Sequence, residues 1–172
     1  MSLAALIHSL NYGGILSGLL FLFIIGGMLY NPELWLNDYP PDIRQMYGPP
    51  GEKTVRQRKW FGIGMLLIMI GALFAAALTL PSAIGSRPTF LGTVRVAYVA
   101  FLISSLMDFL VIDLLLGMVI RPRFMILKGT EGAAGYRNVK FHLDAFLRRA
   151  FSGAVLSLII TAVAQGILLL RG

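Results

Sequence analysis

The sequence predicts an all-α, polytopic membrane protein: four transmembrane helices in an antiparallel bundle, with the N- and C-termini outside. Three observations carry that prediction. Of 172 residues, 57% are apolar and only 13% charged, and the apolar ones are gathered into four blocks. Each block reaches the roughly 20 residues that cross about 30 Å of hydrocarbon. The basic residues are also sorted by position. Of fifteen Lys and Arg, only Arg87, Arg95 and Arg171 fall on one side of the four blocks; the remaining twelve lie in or beside residues 31–60 and 121–149. Basic loops stay in the cytoplasm, which places both long loops inside and both ends outside.

The helices follow in order. The first spans about 3–30 and is halted by Asn31-Pro32. The second spans about 60–80 and is expected to end at Pro81. The third spans about 93–120 and stops at Arg121-Pro122, and the fourth spans about 146–170. Proline cannot continue a helical hydrogen-bond ladder. In lipid the backbone must satisfy itself, so apolar runs of this length are helical. Together they form one transmembrane domain over 1–172, with cytoplasmic loops at 31–59 and 121–145. Met1 to Ala5 lacks Lys and Arg and no small-residue cleavage site follows, so the first segment is expected to remain.

Composition narrows the chemistry. With no cysteine, disulfides, thiolate metal sites, iron–sulfur clusters and cysteine nucleophiles are excluded. The net charge of +7 is explained by topology and by anionic headgroups, each nearby basic residue gaining about 1 kcal/mol. Nucleic acid is not expected as a partner. His8 and His142 fall at opposite ends of the membrane, so they cannot share one haem or metal. No metal or cofactor is predicted.

Asp108 and Asp113 are the sharpest functional signal, because carboxylates inside a membrane span cost at least about 2.5–3.5 kcal/mol. On an α-helix a five-residue step turns them about 140° apart, so they are not expected to share a face. Asp108 is expected to hydrogen-bond Ser157, Thr161 or Gln165, which form a small and polar stripe with Gly153 on the last helix. Asp113 is expected to pair with Arg121, Arg123, Arg148 or Arg149. In the first loop, Trp35 and Tyr39 are expected at headgroup level, while Asp38 and Asp42 flank Pro40-Pro41. In the second loop, Gly129-Thr130-Glu131-Gly132 and Gly135, amid basic residues, form a turn that could also cradle phosphate. Asp38, Asp42, Asp108, Asp113, Arg121, Glu131 and His142 are therefore the candidate ligand-binding residues; no catalytic residue is assigned.

Three separated motifs stand out: Asn31-Pro32-Glu33-Leu34-Trp35-Leu36-Asn37-Asp38-Tyr39-Pro40-Pro41-Asp42-Ile43, Asp108-Phe109-Leu110-Val111-Ile112-Asp113, and Gly129-Thr130-Glu131-Gly132 with Gly135-Tyr136. Together they resemble an uncharacterised family of small bacterial four-helix integral membrane proteins. The resemblance implies a multi-pass protein of the cell inner membrane and carries over no catalytic residue. Lacking a triad, metal cluster or nucleotide motif, the sequence favours a non-enzymatic membrane subunit or a binding and transport accessory. Its partners would be anionic lipid, other membrane subunits or a second copy. One rival is a membrane-embedded enzyme acting on a lipid-borne or anionic substrate at the cytoplasmic interface. The other is a proton-coupled carrier using Asp108.

Overall fold

The computed structural model describes residues 1–170. Among these residues every secondary-structure element is a helix, and four helices are long and apolar enough to cross a membrane. Helix α1 runs Leu3–Tyr30, with the Ser2 hydroxyl accepting the Ala5 N–H. A 3₁₀ stretch, Pro32–Asp38, leads into the short helix α2, Pro41–Tyr47. Helix α3 is Glu52–Ile84, closed by Gly85 in the left-handed conformation that glycine adopts without strain. Helix α4 is α-helical over Phe90–Met107 and continues as a π-helix over Asp108–Ile120. Helix α5 is Val139–Leu170.

Side-chain contacts fix the directions. His8 near the start of α1 bonds the Ala76 carbonyl oxygen near the end of α3, at 2.9 Å, so these helices are antiparallel. Gln165 near the end of α5 donates to Thr93 Oγ1 near the start of α4, at 3.0 Å, so these are antiparallel too. Apolar layers run along the bundle: Ala5, Leu80 and Val96 at one end, Leu16, Leu73, Ala100, Phe101 and Ile160 in the middle, then Ile24, Met28, Ile112 and Met125. Helices in lipid are held by such packing rather than by exclusion of water. Two glycines let spanning helices approach closely. A Cβ at Gly13 would stand 2.8 Å from Ile103 Cβ, and one at Gly153 would enter the Phe101 ring.

The boundaries differ from expectation where polar sequence continues a helix beyond lipid. Helix α3 begins at Glu52 rather than 60, and α5 at Val139 rather than 146. Residues such as Glu52, Lys53, Gln57 and Lys59 are good helix formers, so hydropathy marks where lipid begins, not where the helix does. Pro81 lies inside the last turn of α3, where its missing N–H costs a single ladder bond.

The two long loops pack on each other. Leu36, Tyr39, Ile43, Leu127 and Tyr136 form their own buried cluster. Tyr39 donates its hydroxyl to the Met125 carbonyl at 2.7 Å, and Tyr136 accepts the Leu127 N–H at 2.9 Å. Tyr39 is therefore a core residue of this cap. Trp35 packs against Gly27 of α1. For Tyr39 the surface-anchor expectation is corrected, because the second loop supplies apolar partners that bury it.

Candidate functional site

The cap covers a polar centre built from α4, α5 and the first loop. Arg149 of α5 donates through Nη1 to Asp108 Oδ2, and through Nη2 to Asp113 Oδ2 at 3.0 Å. His142 Nδ1 lies 3.2 Å from the other oxygen of Asp113. The side chains of Asp108, Asp113 and His142 are only 13%, 18% and 13% exposed, which keeps them largely out of bulk solvent. Arg149 is more open, at 40%.

Local helix geometry makes this possible. A π-helix closes its ladder at i→i+5, as the Arg121 N–H to Leu116 carbonyl bond of 2.8 Å shows. Residues five apart then lie one above the other, as residues four apart do on an α-helix. Asp108 and Asp113 are five apart, so one guanidinium reaches both. The expected 140° divergence is overturned for that reason. Ser157 and Thr161, expected as partners of Asp108, are fully buried against α4 with unpartnered hydroxyls, and Gln165 bonds Thr93 and the Pro88 carbonyl instead.

Asp38 completes the centre from the first loop. It shares a cavity of about 50 Å³ with Asp113 and His142 and a second, of about 230 Å³, with Arg58 and Trp35. Its side chain keeps open surface at this junction while protein surrounds it on most sides. That surrounding protein pushes its carboxyl pKa up; Arg149 opposes the shift and Asp113 reinforces it. Within the centre, Asp108 and Asp113 share the single guanidinium of Arg149, His142 faces Asp113, and Asp38 lies between this group and Arg58.

The other candidates are placed elsewhere. Asp42 accepts the Gly135 N–H at 2.6 Å, pinning the second loop to α2, and a side chain on Gly135 would collide with it. Glu131 accepts the Gly129 N–H at 3.1 Å on an exposed turn. Those backbone donors serve internal carboxylates, which removes the phosphate-cradle expectation. Arg121 ends the π-helix in a left-handed conformation and makes no ion pair among the described residues. Asp38, Asp108, Asp113 and His142 thus converge; Asp42, Glu131 and Arg121 do not join them.

Arg149 belongs at the head of the site but was foreseen only as one of four partners for Asp113. The signal that singles it out is antiparallel register: Gly153 meets Phe101 and Gln165 meets Thr93, which brings Arg149 level with Asp108.

On its apolar side, Asp108 borders a groove of about 390 Å³ between α1 and α4, lined also by Gly14, Ser17, Gly18, Phe21 and Met107. No protein-family model, curated protein or solved structure matches this chain.

Proposed function

We propose that this is a non-enzymatic, proton-handling transport protein, multi-pass in a bacterial inner membrane, with its basic loops in the cytoplasm. The observation that carries the reading is Arg149 shared by two carboxylates, beside a third carboxylate and an imidazole around a water-sized space. One guanidinium cannot neutralise both Asp108 and Asp113, so that pair favours uptake of positive charge, and a proton is the smallest. A cavity of about 50 Å³ has room for a few waters. It is well below the roughly 300 Å³ at which ligand pockets begin, which disfavours a lipid headgroup reacting there.

The groups form a line. Asp38 stands at the open crevice, Asp113 and His142 at the small cavity, and Asp108 on the far side of Arg149. Protonation of either Asp108 or Asp113 leaves Arg149 to the other, so the guanidinium acts as a rocker between them. Beyond Asp108, the seam between α4 and α5 contains Ser105, Ser157 and Thr161, all buried with unpartnered hydroxyls, and then Thr93 and Gln165.

Proton flux into vesicles tests the reading. The purified chain, reconstituted with an entrapped pH dye and a potassium ionophore to cancel the membrane potential, is expected to speed the collapse of an imposed pH step. Asp113→Asn is expected to abolish that acceleration. Wild-type flux equal to that of empty vesicles, or unchanged by Asp113→Asn, would refute the proposal.

A further inference from the structure

Resting on that reading, we infer that the groove between α1 and α4 binds a lipophilic monocation, whose charged centre faces Asp108 and competes with a proton for its carboxylate. The groove volume of about 390 Å³ lies within the usual range for small-molecule sites. Its lining is apolar apart from Asp108 and the Ser17 and Ser104 hydroxyls. Gly14 and Gly18 face open space, where an added Cβ would touch nothing within 4 Å. The space thus comes from missing side chains on α1.

Charge selects the occupant. The charged groups around Asp108 are Arg149 from α5, Asp113 one π-turn along and Asp38 from the loop; α1 and α3 place no charged group against it. Arg149 is shared by two carboxylates, which leaves negative charge over. An anion would be repelled, and a small hydrated cation would have to give up its water to an apolar wall. A neutral acyl chain makes no use of the carboxylate. An apolar body carrying one positive charge satisfies both halves of the site, and the Phe21 ring in the lining adds a cation–π face. Cation and proton compete for the Asp108 carboxylate: a proton taken up there at low pH must leave to water, its electron pair staying on the oxygen, before the cation binds. The carboxylate then balances the cation, so one positive charge replaces another.

Tetraphenylphosphonium is a suitable probe, with tetraphenylborate as its anionic match in shape, using the full chain purified in detergent. Equilibrium dialysis is expected to show phosphonium binding that weakens as pH falls, and no borate binding. Asp108→Asn should weaken binding about tenfold or more, the loss expected from a desolvated charge contact. Asp108→Glu should retain binding. Gly18→Leu, which fills the groove without touching the charge, should abolish it. Equal binding of phosphonium and borate would overturn the inference, as would unaltered phosphonium binding by both Asp108→Asn and Gly18→Leu. Asp113-dependent proton flux with no phosphonium binding defeats this inference alone; absence of flux defeats the reading beneath it.

Discussion

Asp108 and Asp113 stand five residues apart on one helix and share a single partner, Arg149, because the ladder between them closes at i→i+5. The π-helix thereby converts a spacing that would split two carboxylates across an α-helix into one that aligns them. Extended π-helices are rare, and their shorter relatives frequently occur at functional sites. The alignment makes the centre a single electrostatic unit, so its members are expected to respond together to mutation.

Arg149→Ala is the most direct probe of that unit. Removing one partner of a buried ion pair typically costs about 3–5 kcal/mol; the part-exposed position of Arg149 places the expected loss near the lower end. Adding Asp108→Asn and Asp113→Asn in the same chain should recover much of it, since no unpaired carboxylate then remains. Chemical unfolding in detergent reads both, and an unchanged midpoint for Arg149→Ala would contradict the assignment.

Asp38 gives a pH signature. Its folded pKa is raised above the ordinary 3.8 by burial, so across the window just above 3.8 the folded chain holds more protons than the unfolded one. The Asp38 contribution is fully present below that value and is lost as pH rises through the folded pKa. Asp38→Asn should remove this decline, so its stability relative to wild type should improve toward higher pH. Parallel pH profiles for the two proteins would show that Asp38 is not held this way.

The α4–α5 seam can be tested independently of charge. Gly153→Ala inserts a methyl group into the Phe101 ring and is expected to cost about 1–3 kcal/mol, with Phe101→Ala restoring part of the loss. Gly166→Ala on the same helix meets open space and should be neutral or stabilising. Thermal unfolding in detergent distinguishes the two sites.

Sidedness follows from the four spans. Because the chain has no cysteine, single replacements report without background. Gly51→Cys and Gly132→Cys, both at exposed positions on the loop side, are expected to react with an impermeant reagent from the same face. Ser86→Cys, in the turn between α3 and α4, should react only from the other. Labelling of the first two from opposite faces would overturn the topology.

The spans were legible because lipid imposes a coarse rule on long stretches, and Leu3–Tyr30 satisfies it residue by residue. The importance of Asp108 and Asp113 was legible too, as an energetic anomaly. Their alignment was not: no hydropathy pattern distinguishes an i→i+5 ladder from an i→i+4 one, and Leu110, Val111 and Ile112 read the same in either. Nor could Tyr39 be placed. An aromatic residue beside a membrane looks like an interfacial anchor until Leu127 and Tyr136, 88 and 97 residues along the chain, arrive to bury it. Arg149 was hidden among neighbours of the same charge, and only tertiary register separates it from Arg148.

The interlocked loops mean that the two halves of the molecule grip each other at the end far from the link that joins them. Severing that link at Ser86–Arg87 should therefore leave a complementing pair. A polypeptide ending at Ser86 and another starting at Arg87, produced side by side, are expected to find one another in the bilayer and co-purify. Replacing Tyr39 and Tyr136 with serine should make the fragments part company.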